Sequence, residues 1–118
     1  MNDIHLPHDH GQEPIDIPSP DDFEIVSTIL KQMCDAVRIR IFWLLCHREE
    51  CVLDISAMMQ MSSPAVSHHL RQLRQAGLVV SRRSGKEVFY RASDTSEAHF
   101  LHEMIEDLMH LTCPGRER

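Results

Sequence analysis

Aromatic side chains are scarce in this chain: one Trp, one Tyr and four Phe among 118 residues. A core built without them is mainly aliphatic, and seven Met supply deformable filler. Glycine is scarcer still, at four residues, and no glycine pattern that cradles a phosphate or lifts a nucleophile is present. There is no His-Glu-x-x-His motif. The adjacent His68 and His69 would point about 100° apart on a helix, so they make no two-histidine metal face. An enzyme is therefore not expected. No apolar run approaches the roughly 20 residues that span a bilayer. The opening MNDIHLPHDHG has neither the basic nor the apolar region of a signal peptide. The expectation is a cytoplasmic protein with no membrane partner. The four cysteines (Cys34, Cys46, Cys51, Cys113) then read as thiols or ligands rather than disulfides. Positive charge is short too. Twelve Lys and Arg face eighteen Asp and Glu, for a net charge of −6. That argues against general nucleic-acid affinity, yet leaves a local surface open.

What positive charge there is gathers in one place. Residues 62–91, SSPAVSHHLRQLRQAGLVVSRRSGKEVFYR, hold six cations (Arg71, Arg74, Arg82, Arg83, Lys86, Arg91) against one carboxylate, Glu87. Residues 1–61 hold four cations and eleven carboxylates, and residues 92–118 two and six.

Local signals divide the chain. Residues 1–18 read as a flexible tail with Pro7, Pro14, Pro18 and the candidate ligands His5, His8, Asp9 and His10. Residues 19–118 read as one domain. Ser19-Pro20-Asp21-Asp22 starts a first helix, predicted to run to about Met33. Asp35 caps a second, which fades at the charged HREE stretch of residues 47–50. A short third helix is predicted over Val52–Gln60, and Ser63-Pro64 opens a fourth that Gly77 stops. LVVSRR and KEVFYR, joined at Ser84-Gly85, predict a two-stranded hairpin with basic residues at its tip. Asp94 or Ser96 opens a last helix, ended by Pro114-Gly115.

This order predicts a mainly α fold with a small β-hairpin: a winged helix-turn-helix. Such a fold sets one helix into the DNA major groove, with side chains near its N-terminus at the base edges. Here those are Ser62, Ser63, Ser67 and His68, with Arg71 and Arg74 one and two turns on. Arg82, Arg83 and Lys86 on the wing would meet phosphate or the minor groove. The segment ECVLDIS, SHHLRQLRQAGLV and RRSGKEVFYR resembles the ArsR/SmtB family of bacterial metal-sensing repressors over residues 23–112. The resemblance implies a homodimer built from the first and last helices, bound to operator DNA and released by an inducer.

Three inducer readings stand open. On the last helix His99, Glu103, Glu106 and His110 recur every three or four residues, which sets imidazole beside carboxylate as a zinc-like divalent ion requires. His102 and Asp107 share that polar side. The resemblance implies an Asp-x-His pair followed by a second His and a His or Glu three later. Asp94 and His110 fit its ends, while Ser96 and Asp107 stand at its two middle positions. The second reading is Cys51, which matches a Cys-containing motif of the family, with Leu53 where thiol-rich sensors carry another Cys. Its further ligands would be Cys46 and His47, or His5, His8 and His10 from the tail. The third is a thiol switch like that of redox- or sulfur-sensing relatives. Cys113 fits one cysteine of that pair. Trp43 occupies the other position, with Cys46 about one turn further. A dimeric interaction or metal-buffering module without DNA readout is the alternative from another class.

Overall fold

A computed structural model describes residues 13–115. The histidines His5, His8 and His10 lie outside the described residues.

Ser19 accepts a hydrogen bond from the Asp22 N–H at 3.3 Å, and Pro20 takes the first helical position of α1, Pro20–Lys31. No residue of α1 is buried, and Phe23, Ile25, Val26 and Leu30 are exposed. The helix was expected to reach Met33. It instead tightens into a 3-10 turn, Gln32–Cys34, where Met33 leaves helical geometry at φ −95 and ψ 17. The turn buries Gln32, whose Oε1 accepts from Arg38 Nη1 at 3.1 Å.

Asp35 caps α2, Ala36–His47, through the Arg38 N–H at 2.9 Å. Ile41, Phe42 and Leu45 of α2 are buried at the centre of the molecule. The helix ends within the HREE stretch as expected, but the end of that stretch opens a strand that was not expected. Glu50–Cys51 forms a strand, β1. It pairs antiparallel with the wing, Glu50 opposite Tyr90 and Cys51 opposite Phe89. The sheet therefore has three strands rather than two. A two-residue strand has no period to read. Glu50, only 4% exposed, hides its strand character behind a charge that Arg48 neutralises.

α3, Val52–Met59, ends at Gln60 in the left-handed region, φ 56. After that turn comes α4, Ser63–Gln75. Its cap is Ser62, which accepts from the Ala65 N–H at 3.3 Å, one residue earlier than expected. Ser63 instead lies 3.2 Å from Ser56 and ties α4 to α3. Val66, Leu70 and Leu73 face inward. Gly77, at φ 78, lets Leu78 N–H reach the Leu73 carbonyl at 2.9 Å and closes the helix.

The wing consists of β2, Val79–Ser84, and β3, Glu87–Ala92, with Ser84 opposite Glu87. In the two-residue loop between them Gly85 sits at φ 64, where this kind of hairpin turn favours glycine. The strand order is β1-β3-β2. Thr95 caps the last helix, α5, Ser96–Thr112. Only Ala98, Leu101 and Ile105 of α5 are buried. Phe100 at 65% and Leu111 at 81% exposure, with Leu108, point away from the core. An apolar groove of about 340 Å³ runs between α1 and α5, lined by Val26, Ile29, Leu30, Phe100 and Leu101.

Candidate functional site

α4 offers its outer face without obstruction. His68, Arg71 and Arg74 are exposed and Ser67 is half-buried. Spacings of three and four residues place Ser67, Arg71 and Arg74 on one side of the helix. They border a groove of about 440 Å³ that Tyr90 of β3 closes from the wing side. His69 turns the other way. Its Nδ1 accepts from Arg38 Nε at 3.2 Å, which joins α4 to α2. Burial pushes the His69 imidazole below its ordinary pKa, and the nearby Arg38 and His68 charges act in the same direction against Asp35.

On the wing the three expected cations part company. Arg83 and Lys86 are exposed, and among the described residues neither has a carboxylate partner. Arg82 is held by Glu49, with Nη2 at 2.7 Å from Oε1 and Nε at 2.9 Å from Oε2. Its guanidinium also lies 5.1 Å from the centre of the Phe89 ring. The hydrogen bonds from Arg82 hold the Glu49 carboxyl below the usual carboxylate range. Ser62 and Ser63, expected at base edges, are engaged in the cap and the α3–α4 bond. Of the cations expected at DNA, Arg71, Arg74, Arg83 and Lys86 have no carboxylate partner among the described residues.

The expected ladder on α5 is divided. His99 Nε2 lies 2.7 Å from Asp94 Oδ1, and that hydrogen bond holds the Asp94 carboxyl low. Glu103 is exposed beside it. Glu106 sits in a different company. Its Oε2 accepts from the indole N–H of Trp43, and its Oε1 lies 3.9 Å from His110 Nε2. His102 Nε2 lies 4.0 Å from Glu106 Oε2 and 3.1 Å from His47 Nε2. One ligand atom from each of His47, His102 and Glu106 falls within 4.8 Å of the others. So Glu106 of the ladder is joined by His47, from the second reading, and by His102. Two imidazoles and a carboxylate are a donor set that zinc-type ions accept. The sequence signal for His102 was its i,i+4 spacing to Glu106. The contribution of α2 had no local signal, because 55 residues separate His47 from His102.

The cysteines are less suited to act first. Burial pushes the Cys46 thiol up to about 12. At Cys51 the Asp54 backbone N–H lowers the pKa, but burial and the Glu87 and Asp54 side chains outweigh it and the thiol ends raised. Cys113 is exposed at the C-terminal cap of α5, 3.7 Å from Thr112 Oγ1.

Comparison with known proteins bears on the α2–α4 region first. The profile of the bacterial regulatory protein, arsR family, matches residues 35–81. The regulator KmtR of Mycobacterium tuberculosis is 37% identical over 111 residues, covering 93% of this chain and 82% of that protein. The transcriptional repressor SmtB homologue of Synechocystis is 32% identical over 105 residues, covering 89% and 79%. The chain belongs to the ArsR/SmtB family. The structure of HlyU from Vibrio cholerae superposes with a TM-score of 0.68 at 33% identity, covering 80% of this chain and 99% of that one. This ArsR/SmtB protein is thus a DNA-binding transcription regulator with a winged helix-turn-helix. The matched segment takes in α2, β1, α3, α4 and the start of β2. α5, with its histidines and carboxylates, lies beyond it. No helix among the described residues is long and apolar enough to cross a membrane.

Proposed function

We propose that this ArsR/SmtB regulator is a homodimeric repressor that a divalent metal ion, zinc-like in its ligand preference, releases from operator DNA. One observation carries the reading. In a chain of net charge −6 the exposed cations of the outer face of α4 and the tip of the wing, Arg71, Arg74, Arg83 and Lys86, have no carboxylate partner among the described residues and cluster at the two elements of the fold that meet a duplex. Dimerisation through α1 and α5 is supported by their exposed apolar faces, Phe23, Val26 and Leu30 on one and Phe100, Leu108 and Leu111 on the other. Two-fold symmetry would set two copies of α4 about 34 Å apart, one turn of DNA.

The release step follows from linkage. An ion that binds one dimer arrangement better shifts the population toward it, and DNA that prefers the other arrangement loses affinity by the same factor. A coupling of about 1–3 kcal/mol gives roughly 5–150-fold release. The ligands are drawn from the polar side of α5 with its neighbours on α2. When bound, the ion supplies only a fixed charge and fixed geometry. The thiol alternative through Cys46 and Cys113 is less well supported, because Cys46 is a desolvated thiol pushed up to about 12 and is poorly nucleophilic near neutral pH.

The test is fluorescence anisotropy on a labelled near-palindromic duplex. Reduced full-length protein should bind it, and Zn²⁺ should weaken binding at least about fivefold. Binding unaffected by Zn²⁺, Co²⁺ and Ni²⁺ alike would refute metal release.

A further inference from the structure

We propose that His47, His102 and Glu106 form a divalent-metal site inside one protomer, between α2 and α5, whose occupation takes Glu106 away from Trp43. The proposal rests on the metal-released reading above and names the site.

The geometry is close to that of coordination. A tetrahedral ion with bonds of about 2.05 Å to two imidazole nitrogens sets them roughly 3.3 Å apart. The two Nε2 atoms of His47 and His102 already face each other at 3.1 Å. At that distance one ring donates to the other, and an ion takes that place once both rings carry their proton on Nδ1. Glu106 Oε2 stands 4.0 Å from His102 Nε2, and a side-chain rotation brings it in. The helices themselves need not move. α2 is anchored by Phe42 and Leu45, α5 by Leu101 and Ile105, all in the core. Access is open: His47 is exposed, and both histidines border a cavity of about 270 Å³.

Glu106 gives the site its readout. Its Oε2 is the atom that accepts the Trp43 N–H and also the atom nearest His102. Coordination competes with the indole for that oxygen. Trp43 lies one turn before His47 on α2, with ring centres 4.1 Å apart, so both partners of Glu106 on α2 belong to one surface. His110 stands on the opposite side of the carboxylate. Its Nε2 is 3.9 Å from Oε1, and its Nδ1 is buried without a hydrogen-bond partner among the described residues. It lies outside the group of three whose ligand atoms fall within 4.8 Å of one another. Asp94 and His99 satisfy each other at 2.7 Å and stand apart from the three ligands.

Trp43 is the only Trp in the sequence, so intrinsic indole emission reports on this place alone. The experiment uses reduced full-length protein without DNA. Zn²⁺ affinity is measured by chelator competition, and Trp43 emission is followed during Co²⁺ addition. Wild type should take up Zn²⁺ with Trp43 emission quenched by Co²⁺ in step with occupancy. His47→Ala and His102→Ala should each lose at least about 10–100-fold in affinity, no less than the loss of an outer partner costs. Glu106→Gln should weaken binding similarly while keeping an acceptor for the indole. Trp43→Phe should tighten Zn²⁺ about fivefold by removing the competing hydrogen bond. His99→Ala should match wild type. Because His47 is exposed, its variant keeps the fold, which a thermal melt verifies. Wild-type affinity in both His47→Ala and His102→Ala, or a loss confined to His99→Ala, overturns the site. If Zn²⁺ still releases operator from His47→Ala as from wild type, metal release stands and this site falls. If wild type shows no release, that reading falls, and the DNA-free titration alone decides the site.

Discussion

Glu49 and Arg82 show how one ion pair changes the meaning of a charge. In sequence Arg82 is one of a pair of wing arginines. In three dimensions the two carboxylate oxygens of Glu49 take its Nε and Nη2 donors, across 33 positions of chain. Glu49→Gln should free Arg82 for phosphate. Operator affinity should rise, and the slope of log K against log salt should steepen by about 0.9 for each further phosphate neutralised. A salt titration by anisotropy reads both. Asp35 supports a prediction of another kind. Its cap bond to the Arg38 N–H, the largest cause, holds its carboxyl below the ordinary value of 3.8. A depressed carboxyl contributes stability above its unfolded value, and the contribution is lost as pH falls through the folded value. Asp35→Ala should therefore cost about 1 kcal/mol near neutrality. The difference from wild type should shrink below pH 3.8, as urea melts across pH would register. The caps at Ser19 and Asp35 could be read from the sequence because capping is local. The partners of Arg82, Glu106 and His99 could not, since each is fixed by packing or by rotamer choice.

Among the elements, α5 shows most clearly what periodicity reveals and what it hides. Its apolar side, with Phe100, Leu101, Ile105, Leu108 and Leu111 at helical spacing, is legible in the sequence, yet the structure spends that side in two ways: Leu101 and Ile105 enter the core, while Phe100, Leu108 and Leu111 remain outside. Spacing alone does not separate residues that face their own core from residues that face a partner. The helix order, the Gly77 stop and the hairpin were legible for the same local reasons as the caps. β1 was not, because its two residues include a buried Glu50 whose charge is cancelled by Arg48. If the outer side of α5 is the dimer seam, Phe100→Glu or Leu108→Glu should yield monomers with unchanged far-UV circular dichroism. Such monomers should also bind operator at least about tenfold more weakly, because one half-site then binds alone. Sedimentation velocity and anisotropy on the same samples would decide it. A dimer that survives both changes would move the seam elsewhere.

At the scale of the molecule two surfaces are joined through one helix. α2 carries His47 at its C-terminal end, and three residues later Glu50 enters the sheet that holds the wing. Glu49, between them, grips Arg82. In the proposed site the metal is held at His47, two residues before the Glu49 that grips the wing arginine, with both helices kept in place. Net charge gave no sign of this arrangement, since acidic groups elsewhere outnumber the basic cluster. The most direct measurement is the salt dependence of duplex binding for wild type and for Arg71→Ala, Arg74→Ala, Arg83→Ala and Lys86→Ala combined. A DNA-reading surface built on these four cations predicts a steep wild-type slope that flattens by about 0.9 for every phosphate left without its cation, with the fold intact by circular dichroism. A slope that is shallow from the start, or that the four substitutions leave untouched, would contradict it.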